Sequence, residues 1–281
     1  MSGESPEAPD HALYEVLIVK HGTRQTVKSD VFLNFPLYGE PDESIQMDYF
    51  FWVIRNAERT VVVDTGYSAH GGEVRARTVL ISPPTAFELL GITPDSAPAV
   101  IITHAHYDHT GNVDYFDASE IVLARAEYEF WTGRHASRTQ FHHSIEEYDL
   151  VQLDRAKAEG RLTLFDSHHT LAPGIEIIQV GGHTPGQSVV RVATSEGTVL
   201  LASDSVHFYE EYERDMPFTY VADLVKMYEA FDLIRDMNRS GEADHVVSGH
   251  DAETLSRFRA WGADGPFAGL AASIGRIEVQ R

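Results

Sequence analysis

The chain of 281 residues contains no cysteine. That absence excludes disulfides, thiolate-held zinc or iron–sulfur centres, and a cysteine nucleophile. Positive charge is scarce: 22 Lys and Arg stand against 43 Asp and Glu, a formal net charge of −21 with His neutral. A field of that sign repels phosphate backbones and anionic lipid headgroups, so nucleic-acid and membrane partners are not expected. No apolar run approaches the length of a membrane span. Short-period repeats and low-complexity tracts are also missing. Residues 1–10 are acidic and proline-containing and lack the basic and apolar regions of a secretory signal. They are expected to form a disordered lead-in, and the expected location is cytoplasmic. What remains is ordinary for a folded protein, 43% hydrophobic and 23% charged. Residues 11–281 are long enough for one domain with a sizeable core. Histidine is the residue in surplus, at 15.

Strand signals recur along the chain as Val- and Ile-rich runs bounded by Gly, Pro, Asn or Asp. They cover Tyr14–Lys20, Asp48–Arg55, Thr60–Val63, Ala99–Thr103, Ile121–Ala124, Leu162–Phe165, Ile175–Val180, Ser188–Ala193, Thr198–Ala202 and His245–Ser248. Helix signals are fewer: Pro84–Leu90, Arg125–Trp131, Tyr220–Met237 and Leu255–Trp261. Strands and helices mixed in this order predict an α/β fold with two mixed sheets packed face to face and helices outside. The stretch 132–160, rich in His, aromatics and charge, reads as a loop-plus-helix insertion that shapes a pocket.

One segment dominates. An apolar strand ends at Thr103, and His104, His106, Asp108 and His109 follow within six residues. This spacing does not line one helical face; it suits a loop curling around a point. Imidazoles and carboxylates are ligands for borderline cations. Four such groups so close together rarely reach one ion, so two ions side by side are expected. His104 and His106 would serve one, Asp108 and His109 the other. Further ligands are sought where other strands run out: His183 after Ile177–Gly182, Asp204 after Val199–Ser203, and His250 after His245–Gly249.

The order H-x-H-x-D-H, G-H-T-P-G, a distant Asp after a strand and a final G-H resembles the metallo-β-lactamase superfamily. The early Asp64-Thr65-Gly66 resembles that superfamily's Asp-Thr-Gly element. The match spans about 48–255, most of the chain. The resemblance implies a four-layer αβ/βα sandwich with metals at one edge of the sheet pair. It implies that His104, His106 and His183 hold one metal, that Asp108, His109 and His250 hold the other, and that Asp204 bridges them. Asp64 would orient a ligand or its loop.

Paired divalent cations can hold a bridging hydroxide at neutral pH and polarise a carbonyl. The implied activity is therefore hydrolysis, with Asp108 also carrying the proton. His106 stands where redox di-iron relatives carry Glu, which favours hydrolysis further. Within the superfamily the chain looks most like the N-acyl homoserine lactonase group, including an aromatic, Tyr107, before Asp108. Those lactonases commonly carry a Tyr three positions after the bridging Asp; this chain has His207 there. His207 is read as a catalytic donor to the substrate oxyanion. The expected function is opening of a small lactone, with a thioester, lactam or amide, or phosphodiester of a small molecule as the alternative. The expected cofactors are two divalent ions, zinc first, with manganese or iron as alternatives. The oligomeric state is left open, a homodimer included.

Overall fold

The computed structural model describes residues 12–277, so the lead-in at 1–10 lies outside the described residues. The strands are β1 (Glu15–Val27), β2 (Ser44–Arg55), β3 (Thr60–Val63), β4 (Thr78–Val79), β5 (Ala99–Ile101), β6 (Ile121–Ala124), β7 (Leu162–Phe165), β8 (His168–Ala172), β9 (Ile175–Gln179), β10 (Ser188–Thr194), β11 (Gly197–Ser203), β12 (His245–Ser248), β13 (Arg259–Ala260) and β14 (Ala271–Ile274). They form two mixed sheets. One runs β13-β14-β1-β2-β3-β5-β6-β7 with β4 on β1, and the other runs β12-β11-β10-β9-β8.

Alternation along the strands sorts side chains into layers. Val16, Ile18, Trp52, Val61 and Val63 of the first sheet face Ile175, Ile177, Val190, Val199 and Leu201 of the second in one buried cluster. The alternate residues Leu17, Val19, Phe51, Val53 and Val62 pack outward on Phe87, Phe116, Trp131 and Leu153. On the opposite face, Val189, Leu200 and Val246 meet Ile234 and Met237 of the helix Leu224–Ser240. Helix, sheet, sheet and helix make the four-layer sandwich.

Most expected strands appear within one or two residues of their predicted bounds, and four corrections stand out. β1 continues from Lys20 to Val27 through a shift of register at Lys20–Gly22, because β2 is there to pair with its polar half. The expected helix Leu255–Trp261 is helical only over Thr254–Arg257. Its remainder, Arg259–Ala260, turns to pair with β14 instead. Short or polar β4, β8 and β14 lack the apolar runs that mark strands in sequence. The histidine segment is also not all loop, since Tyr107–Thr110 forms one helical turn beginning after His106.

The topology brings strand ends together. β3, β5, β6 and β7 are mutually parallel. β9 and β11 are each antiparallel to β10, and β12 is parallel to β11, so β9, β11 and β12 share one direction. The carboxyl ends of β3, β5, β9, β11 and β12 therefore carry Asp64, His104, His183, Asp204 and His250 respectively onto one rim.

Candidate metal centre

All seven sequence-predicted ligands meet at that rim, and all seven are buried. Donor atoms of His104, His106, His183 and Asp204 lie within 4.8 Å of one another, as do those of Asp108, His109 and His250. Asp204 sits between the groups. Its Oδ2 is 3.6 Å from His104 Nε2 and 3.4 Å from His183 Nε2. Its Oδ1 is 3.2 Å from His109 Nε2 and 3.1 Å from His250 Nε2. Asp108 is looser, with Oδ1 3.9 Å from His109 Nε2 and Oδ2 3.8 Å from His250 Nε2. His106 turns Nδ1 inward, 2.9 Å from His183 Nε2.

The imidazoles are fixed from behind. His109 Nδ1 lies 2.7 Å from Asp64 Oδ2, His183 Nδ1 2.7 Å from the Tyr220 carbonyl, and His250 Nδ1 2.7 Å from the Asp48 carbonyl. A ring that donates from Nδ1 presents a lone pair at Nε2, the state that coordinates a metal. Asp64 does more than hold His109. Its Oδ1 accepts the Thr103 N–H at 2.8 Å and its Oδ2 accepts the Thr103 hydroxyl at 2.8 Å. That hydroxyl also meets Ser203 Oγ at 2.8 Å, joining the His104 loop to the Asp204 loop across the two sheets. Asp64 and Ser203 both take left-handed backbone, φ 59° and 47°, a strain that this network holds in place. Gly249 is required for a related reason: a Cβ there would come within 2.8 Å of Asp204 Oδ1.

Whether these residues suit a cation can be tested on their polar atoms. Among the described residues, His104 Nε2, His109 Nε2 and Asp204 Oδ1 are buried without a hydrogen-bond partner, although they crowd one another. Such atoms point at shared positions rather than at each other, and a bound cation satisfies them. Charge agrees. Burial holds His104 and His106 well below the usual imidazole range, and His183 at about 3, so these rings are neutral ligands. Burial would raise Asp204, but His207, His250, His109 and His104 around it lower it well below the carboxylate range. His109 differs: burial would depress it, yet Asp204, Asp64 and Asp108 raise it well above the usual value, so without a cation this ring favours the protonated form. The donor set, nitrogen and oxygen without sulfur, fits divalent zinc, manganese or iron.

His207 lies at the same rim. Its Nε2 is 3.0 Å from Asp204 Oδ2, its Nδ1 3.2 Å from Glu211, and its ring stacks on Phe218 at 3.7 Å. Burial would lower it, but Asp204 and Glu211 overturn that and raise it to about 9. A cavity of about 160 Å³ opens beside the cluster. Tyr49 lines it, and His143 and Ser144 reach it from the 132–160 insertion. Phe141 of the insertion packs on the core with Phe130.

Sequence reasoning misses Glu127. It is wholly buried, and its Oε1 accepts Ala105 N–H at 2.9 Å and Trp131 Nε1–H at 2.7 Å. Its Oε2 accepts the Thr184 hydroxyl at 2.7 Å and Gly186 N–H at 2.8 Å. One carboxylate thus ties the His104–His106 loop to the loop after His183. No motif flags it.

A model of the metallo-beta-lactamase superfamily matches residues 48–250. The chain belongs to that superfamily. Among characterised relatives, an N-acyl homoserine lactonase from Bacillus sp is 25% identical over 193 residues, covering 63% of this chain and 72% of that one. The N-acyl homoserine lactonase AiiB of Agrobacterium fabrum is 29% identical over 189 residues, covering 57% and 64%. A solved quorum-quenching N-acyl homoserine lactone lactonase superposes with a TM-score of 0.74 at 18% identity, covering 89% of this chain and 97% of that one. AidC, a dizinc quorum-quenching lactonase, superposes at 0.67 with 17% identity, covering 96% and 97%. Superfamily membership and the donor cluster make this chain a metal-dependent hydrolase.

Proposed function

We propose that the chain opens a small lactone by metal-assisted hydrolysis. The observation that carries this reading is Asp204, whose carboxylate stands between the two donor groups, Oδ2 near His104 and His183, Oδ1 near His109, and His250 within reach of both oxygens, and so could serve two cations at once. His104, His106 and His183 would hold one ion, Asp108, His109 and His250 the other, with zinc the ion proposed. Bound cations of this kind supply a water-derived nucleophile at neutral pH and polarise the scissile carbonyl.

The chain's own groups do the rest. Asp108 lines the cavity and is the loosest of the seven, so as well as serving as a ligand it would take a proton on its other oxygen and pass it to the departing ring oxygen. His207, anchored through Nδ1 by Glu211 and lining the cavity, would offer an Nε2–H to negative charge growing on the carbonyl oxygen. Its stacking on Phe218 fixes that direction. The lactonase relatives support the lactone as the bond opened.

The test is a pH-stat assay of zinc-loaded protein across γ- to ε-lactones with varied substituents, with thioesters, lactams and phosphodiesters in parallel. Acid release from lactones is expected, abolished by chelation and restored by metal. Turnover of another class with none from any lactone refutes the proposal.

A further inference from the structure

We propose that the substrate carries a carboxylate, gripped by Arg24 and Arg77 on the wall of the cavity beside the metal centre. This rests on the lactone reading and narrows it to anionic lactones.

Three guanidinium groups line the cavity: Arg24, Arg75 and Arg77. They differ in how they are held. Arg75 is taken. It pairs with Glu146, donates to the His143 carbonyl at 2.9 Å and the Ile145 carbonyl at 3.1 Å, and lies 4.0 Å over the Tyr107 ring. It pins the insertion in place. Arg24 and Arg77 make no ion pair among the described residues. Arg77 Nε–H donates to Tyr107 Oη at 2.9 Å, and one terminal nitrogen donates to the Arg75 carbonyl at 2.7 Å. These bonds aim the fork without neutralising it. Arg24 Nε is buried and has no hydrogen-bond partner among the described residues.

Nearby acids do not balance these charges. Asp48, beside Arg24 in sequence register, is occupied by Lys20 at 3.2 Å, Thr23 at 2.7 Å and Gln46 at 2.8 Å. The carboxylates in the cavity are Asp108 and Asp204, and both are among the residues that would hold the cations. In a chain of net charge −21, two unpaired guanidinium groups in one small cavity are a costly arrangement unless a ligand meets them. They also give an anion a local attraction that the overall field denies it. Arginine forks match planar carboxylates two bonds at a time. The cavity of about 160 Å³ must also seat the scissile ring, which favours a carboxylate over a bulkier phosphate.

The test uses three γ-lactones that share a ring: γ-butyrolactone bearing a γ-carboxylate, the matching carboxamide, and the unsubstituted ring. With zinc-loaded protein, kcat/KM is expected to favour the carboxylate over the carboxamide by about 10- to 100-fold, as charge-assisted bonds of about 1.5–3 kcal/mol imply. That ratio should collapse toward one in Arg24→Gln and Arg77→Gln and should fall with salt. A second readout needs no turnover: calorimetric binding of 2-hydroxyglutarate, the ring-opened dicarboxylate, should weaken at least tenfold in each variant. Equal binding by wild type and both variants, or a carboxylate preference that both variants keep, overturns the proposal even if lactones are hydrolysed. Tighter binding of inorganic phosphate than of the dicarboxylate overturns the carboxylate assignment. Arginine-dependent binding of the dicarboxylate with no lactone turnover sustains the anion site and removes only the lactone reading.

Discussion

Replacing Glu127 with Gln is the sharpest test of how the two halves of the centre are held together. The change keeps shape and volume, so it isolates hydrogen bonding. In the native chain one carboxylate accepts four donors: Ala105 N–H, Trp131 Nε1–H, the Thr184 hydroxyl and Gly186 N–H. Burial raises the Glu127 pKa, and these donors oppose it. A glutamine offers one acceptor oxygen and an NH2. Placed with its oxygen toward Ala105 and Trp131, it sets the NH2 against Gly186 N–H. The Thr184 hydroxyl can turn and accept, but Gly186 cannot. Flipping the amide is worse, since Ala105 and Trp131 are both obligate donors. The variant loses a charge-assisted bond and leaves a buried N–H unpaired, together about 3 kcal/mol. Gly186 is pressed against Glu127, since a Cβ at that position would lie 2.3 Å from Glu127 N. The strain falls on the loops of His104, His106 and His183, so metal affinity should drop about 10- to 100-fold, as when a ligand's support is lost. Urea unfolding and competition with a chromophoric chelator measure the two effects. Stability within about 0.5 kcal/mol of wild type, with an unchanged metal Kd, refutes the reasoning.

Three further outcomes are expected. Asp64→Asn keeps an acceptor for Thr103 N–H but removes the charge behind His109 Nδ1, so metal affinity should fall by about 10- to 100-fold with the far-ultraviolet circular dichroism unchanged; unaltered affinity would show that Asp64 serves the turn alone. Burial raises Asp149 to about 7, so the folded state keeps a proton that the unfolded chain releases near 3.8. Stability is then lost as pH rises between those values, and Asp149→Asn should gain on wild type across that window and level off above it, by on the order of 3 kcal/mol in metal-free urea titrations; a pH-independent difference contradicts this. Chelation should lower Tm by about 5–15 °C, the scale for losing a ligand held well above its Kd in a domain of this size, and two equivalents of zinc should restore it.

The candidate ligands were legible in sequence because they follow the ends of apolar strands, and strand ends of like direction converge by topology. Asp64 was half legible. An Asp-Thr-Gly turn explains itself locally, and only the tertiary bonds to Thr103 and His109 give its carboxylate a second task. Glu127 was not legible. It sits on the helix Arg125–Trp131 among exposed and half-buried neighbours, one acid among several, and its importance comes from donors up to 59 residues away. Strands β8 and β14 escaped for the opposite reason: His168–Ala172 and Ala271–Ile274 carry little strand signal, and a neighbour's edge makes them strands.

The arginines show what a pattern of strand ends leaves unread. Arg24 lies in the polar half of β1, opposite Met47, and Arg77 lies just past the helix Ala69–Val74. Nothing in either segment announces a binding wall, and the net charge points away from anions. The packing of Met47 and Tyr49 of β2 with Tyr67 and Tyr107 underlies the wall on which both guanidinium groups reach the metal centre. Gly22 is part of that packing, since a Cβ there would meet the Tyr67 phenol at 1.8 Å. Gly22→Ala should therefore push Tyr67 outward, disturb the wall that presents Arg24, and weaken dicarboxylate binding while the metal Kd stays within about threefold of wild type, as expected when no ligand or its support is touched. A matching loss of metal affinity would mean that the wall and the metal rim are one cooperative unit, and that the two poles of the cavity cannot be tuned apart.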